Sequence, residues 1–244
     1  AGISRTGMNS SRLLADSRLC ALTFLLSAAT FSGYTLYFCQ LTMLHGDEGQ
    51  YLLVTQSLIR DGDMDLTNNI DPKSIREFHV IDSFGIHKAP GSPPGKLHSV
   101  HPVGLSILLI PPYLAGLDLW QNPRLACALT VALMGAGCVA LMLAWLLRLG
   151  IGRWPAVAAA MVAAVTGPLF LYSTQLFPDL PALLVSLVAL RALHRWQIPG
   201  GGYRSWGRLE TLWLALLSAV LGFLPFLHAR FTPIALLACV GLAL

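Results

Sequence analysis

Charged residues are scarce in this chain. Only 11% of its 244 residues are Asp, Glu, Lys or Arg, whereas 55% are hydrophobic. A soluble domain carries about 25% charged residues, so the composition excludes an ordinary soluble protein and predicts an all-α, polytopic membrane protein. The net charge of +4 does not indicate a nucleic-acid partner, because basic residues that flank apolar runs are what membrane orientation produces.

Paired cysteines and nucleotide-binding motifs are also lacking. The five cysteines lie inside apolar runs without CxxC spacing, so neither a disulfide framework nor a thiolate metal site is indicated. The glycine run at 200–202 follows no strand pattern and lacks the Lys-Ser/Thr of a phosphate loop. The apolar runs and the polar loop between the first two of them therefore carry the information about function.

The first apolar run, residues 19–43, sets the orientation. Three arginines precede it, and the acidic pair Asp47-Glu48 follows it. Because basic residues favour the cytoplasmic side, we expect residues 1–18 in the cytoplasm and the acidic pair outside the cell membrane. The run is too long for the apolar part of a cleavable signal, so we expect it to remain as an anchor.

The polar loop 44–121 is predicted to be extracytoplasmic and to carry two amphipathic surface helices, at 47–60 and 103–119. The segment 103–119 could be a full membrane span or an outer-face helix broken by Pro111 and Pro112. If it spans, six arginines later in the chain face outside; if it stays at the outer interface, all six become cytoplasmic. The second arrangement agrees with the charge bias and is our prediction. The six arginines are Arg148, Arg153, Arg191, Arg195, Arg204 and Arg208.

The remaining apolar runs complete a single membrane domain, residues 1–244, with about six transmembrane helices. The last run is about 13 residues long, whereas a span needs roughly 20. We therefore expect an incomplete last helix, or a natural protein that continues beyond it. The spans after the loop are predicted at 123–147, 155–175, 180–195, 209–227 and from 232 onward.

This topology places several polar residues on the outer side. Two adjacent carboxylates at a membrane edge are costly against hydrocarbon, so they indicate a functional site. Carboxylates can take a proton or bind a cation, and Lys, His and Arg can hold a phosphate. Transfer from an anionic lipid-linked donor requires such groups. The outer set consists of Asp47-Glu48, Lys96, His98, His101, Asp179, His228 and Arg230.

The acidic residues also have structural interpretations. Asp47 and Glu48 could cap the helix that follows them and interact with its dipole. Asp179, between two prolines, could likewise cap the next helix. The three aspartates in 61–65 are spaced like the start of a calcium loop, but Leu66 stands where glycine is required, so a solvated turn is predicted.

The loop histidines indicate a metal site only weakly. His98 and His101 could share a metal ion if they lay on a helix, but Pro102 favours an extended chain. His79 and His87, also in this loop, are interpreted as ordinary loop polarity.

The motifs around the first loop resemble a known family. Asp47-Glu48 lies just outside the first span, a helix follows, and His101-Pro102 closes the loop. This order is similar to that of the membrane-embedded C-type glycosyltransferases (GT-C). Protein O-mannosyltransferases carry Asp-Glu and His-Pro-Pro in those places, and lipid A aminoarabinose transferases carry Asp-Glu and Lys-Pro-Pro. The second proline of the motif is Val103 here.

The resemblance covers about residues 18–195 and implies roles for the site residues. Asp179, ahead of a proline, matches the second acidic residue of such enzymes. The resemblance implies that Asp47 is the general base or one member of a metal-assisted pair, and that Glu48 and Asp179 support it or position the acceptor. The donor phosphate would be held by His101, with Lys96, His98 and Arg230.

The implied reaction moves a sugar from a polyprenyl-phosphate-linked donor to an acceptor at the extracytoplasmic face. The implied partners are membrane lipids and the donor itself, without nucleic acid, and a divalent cation, Mg²⁺ or Mn²⁺, could assist. The family has eleven or more spans, so the alternative is a truncated, inactive GT-C-like subunit of a larger membrane complex. A transporter is disfavoured, because the spans lack charges near their midpoints and paired broken helices.

Overall fold

Helices form all the regular structure that the computed structural model describes, which covers residues 10–80, 83–196 and 208–243. Within these ranges no strand occurs, so the predicted all-α class is confirmed there. The glycine run at 200–202 and Arg204 lie outside the described residues. The α-helices are α1 (Ser10–Leu41), α2 (Glu48–Arg60), α3 (Pro72–Arg76), α4 (Gly104–Trp120), α5 (Pro123–Arg148), α6 (Arg153–Val165), α7 (Gly167–Tyr172), α8 (Asp179–Trp196), α9 (Arg208–Gly222), α10 (Leu224–Leu227) and α11 (Thr232–Ala243).

Among the described residues, two helices are long and apolar enough to cross a membrane. They are α1, over Leu13–Leu41, and α5, over Pro123–Arg148. Only 22% of the apolar window of α1 is buried inside the protein, against 50% for α5, so α1 exposes most of its apolar surface. Shorter apolar helices cover Gly104–Trp120, Arg153–Val165, Ala215–Leu227 and Ala229–Gly241.

Two of the predicted spans are divided. The run 155–175 breaks at Thr166, whose ψ of 150° is extended, and resumes as α7. Pro168 explains the break, because it has no N–H for a continuing helical ladder. The run 209–227 is divided at Phe223, two residues before another proline, into α9 and α10. Each of these predicted spans is therefore a pair of helices.

Helices α1 and α5 pack antiparallel along their length. Arg124, in the first turn of α5, donates to the carbonyls of Thr42 (2.7 Å) and Met43 (2.9 Å), just after α1. At the other end, Arg153 Nε lies 2.7 Å from Asp16 Oδ1 near the start of α1. The long loop between the two helices therefore leaves and returns at the same end of the pair.

Helix α2, predicted as an amphipathic helix lying on the outer surface, is buried by other parts of the protein. Residues 48–57 are all buried, and the helix packs against α4. Its polar side chains bind the folded loop instead of water: Gln50 Nε2 donates to Gly85 O (2.6 Å), and Gln56 Nε2 donates to Ser74 O (2.9 Å). The loop covers the polar face of α2, and its carbonyls accept the hydrogen bonds of the Gln50 and Gln56 amide groups.

Helix α4, the second helix predicted in the loop, is continuous. Pro111 and Pro112 lie inside it without breaking it. It turns directly into α5 through Gln121, which has a φ of 50°. Gly116 allows this tight turn, because a Cβ there would lie 2.6 Å from Pro123 Cα. Helices α4 and α5 are therefore joined by a tight two-residue connection, 121–122.

The first residue of α4 lies directly on the backbone of α10. A Cβ added to Gly104 would collide with the carbonyl of Phe226 and would lie 2.6 Å from Leu227 N. Only glycine permits so close an approach of two backbones. This contact brings the chain around α10 to the end of the long loop.

We predict that Gly104→Ala destabilises the protein by about 1–3 kcal/mol, because the new methyl group must push α10 away from α4. Thermal unfolding in detergent, followed by circular dichroism, measures the change. Gly33→Ala is the matched control: nothing lies within 4 Å of a Cβ at Gly33, so this variant should be neutral or slightly stabilising. Equal melting temperatures for both variants would contradict the close backbone contact.

Candidate functional site

Asp47 presents its carboxylate to two loop histidines. It occupies the N-cap position of α2, but its side chain makes no capping hydrogen bond. Its Oδ1 lies 3.4 Å from His87 Nδ1 and 3.5 Å from His101 Nε2. The carboxylate is therefore not used as a helix cap and remains available to other groups.

A short backbone pairing holds the two histidines in place. Ala89 N donates to His98 O (2.8 Å), and Val100 N donates to His87 O (2.8 Å). The pairing brings His87 Nδ1 within 3.0 Å of His101 Nε2. His87, interpreted from the sequence as ordinary loop polarity, is thus a member of the site. No local signal could reveal it, since its partners are about 14 and 40 residues away.

His101 is the more enclosed of the two rings. Its side chain is 13% exposed, against 53% for His87, and its ring lies 5.4 Å from that of Tyr51, centroid to centroid. Burial lowers the pKa of His101; nearby Asp47 opposes this shift, while His87 and His228 add to it. His101 is therefore neutral at neutral pH, able to donate one hydrogen bond and to offer one lone pair.

Asp179 and Arg230 form an ion pair beside this group. Arg230 Nη2 lies 2.7 Å from both carboxylate oxygens of Asp179. Burial raises the pKa of Tyr51 to about 12, and the charges of Asp47, Arg230 and Asp179 also act on its hydroxyl. Tyr51 thus lies within electrostatic reach of all three charged residues, which come from distant parts of the chain.

The buried carboxylate of Glu48 joins two distant segments of the chain next to this site. Its side chain is 2% exposed; Oε2 accepts from His45 N (2.8 Å) and Oε1 accepts from Leu176 N (2.9 Å). Arg124 Nη2 lies 3.9 Å from Oε2. Burial raises the pKa of Glu48, whereas these backbone donors and Arg124 lower it. Both oxygens are already bound, so Glu48 fixes the segment before α8 against the start of α2.

Lys96 and His98 lie apart from Asp47. Lys96 Nζ is 3.8 Å from Asp65 Oδ2, which places this lysine at the far side of the loop. Asp65 also accepts from Thr67 Oγ1 (2.6 Å) and Leu97 N (3.1 Å), and these hydrogen bonds lower the pKa of Asp65 to about 2. The predicted turn at 61–65 therefore uses its acidic side chains for its own hydrogen bonds.

A cavity of about 380 Å³ opens next to His101. Its walls come from α2 at Val54, from the loop at Met64 and His98, and from the chain at Phe226. This volume falls in the range of small-molecule sites. A ligand in the cavity would reach His98 and His101 together.

Among the described residues, one group has the spacing of metal ligands. Asp47, His87 and His101 each offer one ligand atom, and these atoms all lie within 4.8 Å of one another. His98, whose pairing with His101 around a metal the sequence disfavoured because of Pro102, does not belong to this group.

The chain matches no family model, and no curated protein or solved structure is significantly similar to it. Its likeness to the GT-C enzymes therefore rests on the short motifs around Asp47, His101 and Asp179 alone.

We predict that Glu48→Gln lowers the free energy of unfolding by about 1–3 kcal/mol, because the amide leaves one buried backbone N–H without an acceptor. Thermal unfolding in detergent measures the loss. Asp118→Asn, at an exposed position of α4, is the isosteric control and should change stability by less than about 0.5 kcal/mol. A Glu48→Gln protein as stable as this control would contradict the linking role of Glu48.

Proposed function

We propose that the protein is a membrane-embedded, GT-C-type glycosyltransferase. It moves a sugar from a polyprenyl-phosphate-linked donor to an acceptor at the extracytoplasmic face. The observation that carries the proposal is that Asp47 lies 3.5 Å from His101, in the cavity wall, while the Asp179–Arg230 ion pair and Asp47 act together on Tyr51. Motif and sidedness point to these residues, which lie far apart in the sequence.

The proposed topology has a cytoplasmic N-terminus and about six spans in the cell membrane. The mostly exposed apolar surface of α1 supports contact with lipid, because a core helix of a soluble protein would be covered. The antiparallel packing of α1 and α5 supports an outer location for the whole loop between them. If α4 crossed the membrane, α5 would begin beside the start of α1. In the structure the first turn of α5 instead contacts the residues just after the end of α1. In this arrangement α4 lies at the outer interface.

Asp47 is the proposed general base. Its side chain is 36% exposed, so an acceptor hydroxyl can reach it. The carboxylate takes the hydroxyl proton while the oxygen forms a bond to the anomeric carbon of the sugar. The bond between that carbon and the phosphate oxygen breaks, and polyprenyl phosphate leaves with the negative charge. A direct displacement of this kind inverts the configuration at the anomeric carbon.

Arg230 is the proposed anchor for the donor phosphate. Its side chain is half exposed, and Asp179 is bound through a single guanidinium nitrogen, Nη2. The remaining guanidinium N–H groups can donate to phosphate oxygens, and such charge-assisted bonds stabilise the developing charge of the leaving group. His101 contributes a neutral N–H donor. In this arrangement His98, in the cavity wall, contacts the donor, and Lys96 stays at the rim.

We predict that Asp47→Asn reduces transfer from a synthetic polyprenyl-phosphate sugar by about 10²–10⁴-fold, since general-base catalysis is worth that much. The assay uses purified protein in detergent or liposomes with a radiolabelled sugar donor. Expression and melting temperature should stay near those of the unmodified protein, because the Asp47 side chain makes no capping bond.

The control for this assay is Asp118→Asn, which makes the same chemical change at an exposed position outside the site. It should retain full activity. Undiminished turnover by Asp47→Asn would exclude the proposed base.

We predict that Arg230→Gln raises the KM for the lipid-phosphate donor roughly 10- to 100-fold, the usual cost of losing a hydrogen bond to a charged group. Initial rates at varied donor concentration give the value. Arg153→Gln is the matched control, because Arg153 also pairs with an aspartate, at the far end of α1. It should leave KM unchanged. An equal effect of the two variants would contradict a phosphate contact at Arg230.

A further inference from the structure

We propose that Asp47, His87 and His101 form a binding site for a divalent transition metal ion, with zinc as the preferred ion. The site has three protein ligands: Asp47 Oδ1, His87 Nδ1 and His101 Nε2. This inference does not depend on the glycosyl-transfer reaction.

The three ligand atoms are spaced as zinc requires. The sides of their triangle are 3.0 Å, 3.4 Å and 3.5 Å. Tetrahedral zinc with bonds of about 2.0–2.1 Å places its ligand atoms about 3.3–3.4 Å apart. An ion about 0.8 Å out of the plane of the three atoms would satisfy these bond lengths with little movement of the side chains.

The ligand types also favour zinc over magnesium. Two imidazoles and one carboxylate suit zinc and similar transition metals, whereas Mg²⁺ and Ca²⁺ prefer oxygen ligands alone. The site therefore differs from the Mg²⁺ or Mn²⁺ site that the motifs alone suggested.

Hydrogen bonds of the folded protein already position the two histidine ligands before a metal ion binds. The backbone pairing between 87–89 and 98–100 fixes the two histidines relative to each other. His87 N donates to Gln50 Oε1 (3.3 Å) of the buried helix α2, and His101 N donates to Ser99 Oγ (3.2 Å). Such outer contacts orient metal ligands and increase affinity.

The site keeps one coordination position open. Within the described chain no fourth Asp, Glu, His or Cys joins the group, and the cavity lies beside His101. Three ligands with an open position are typical of catalytic zinc sites, where water or a substrate oxygen completes the tetrahedron. Binding through Oδ1 would leave Oδ2 of Asp47 for proton transfer.

A simple hydrogen bond between the two imidazoles is the competing explanation for their 3.0 Å contact. It requires one ring nitrogen to carry a proton and the other to accept it. A metal ion instead requires both nitrogens to present lone pairs. The two explanations differ in whether the protein binds metal stoichiometrically.

The experiment uses the full chain, purified in detergent and stripped with a chelator. Zinc is added in competition with a chromophoric chelator, and bound metal is counted by mass spectrometry after dialysis. We expect one zinc per chain. His87→Gln and His101→Gln should each weaken binding at least about 10-fold, since even changes in outer contacts cost roughly 10- to 100-fold.

His98→Gln is the matched control, because it removes an imidazole from the same loop but not from the triangle. It should leave zinc affinity unchanged. His87→Cys should retain stoichiometric zinc, because a thiolate is also a zinc ligand. Circular dichroism verifies that every variant keeps its helical content.

Three outcomes would overturn the proposal. One is the absence of stoichiometric zinc in the stripped and reloaded protein. Another is binding that survives in both His87→Gln and His101→Gln, which would assign the metal to other residues such as the cysteines. The third is loss of binding in His98→Gln, which would favour a site at His98 and His101.

Discussion

The buried carboxylate of Glu48 is the interaction on which the arrangement of the site depends. Removing a carboxylate from water is costly, and here two backbone N–H groups and Arg124 offset that cost. These partners belong to the segment between α1 and α2, the segment before α8, and the start of α5. Because Glu48 faces inward, the neighbouring Asp47 faces outward toward the loop. Two adjacent acids therefore have separate roles: one joins segments of the fold, and the other presents a reactive group.

Much of the helical structure could be predicted from the sequence, and some of the residues predicted for the site lie close together in the structure. Long apolar runs between basic residues predict helices such as α5 directly. The distribution of arginines predicts that Asp47, His101, Asp179 and Arg230 share one side of the membrane, and in the structure the first two lie 3.5 Å apart while the other two form an ion pair. A prediction of sidedness restricts residues distant in the chain to one surface, which local periodicity cannot do.

The remaining features arise from contacts between distant segments. The alternation of polar and apolar residues in α2 indicates one polar face, but it does not reveal whether water or folded loop covers that face. The hydrogen bond from Gln50 Nε2 to Gly85 O shows that the folded loop covers it. His87 joins the site only because 87–89 pairs with 98–100, and Lys96 is kept away by Asp65. Local patterns describe each segment, whereas the loop's own tertiary structure decides which of its polar residues meet.

The contact of Gly104 with the backbone of α10 has a mechanical consequence. His101 lies three residues before Gly104, and Arg230 lies three residues after Leu227. With no side chain between the two backbones, there is no soft layer to absorb a relative displacement. A shift of one segment therefore moves the other, so the backbones that carry His101 and Arg230 move together. The distance between these two backbone segments is set by main-chain atoms, and rotation of side chains does not change it.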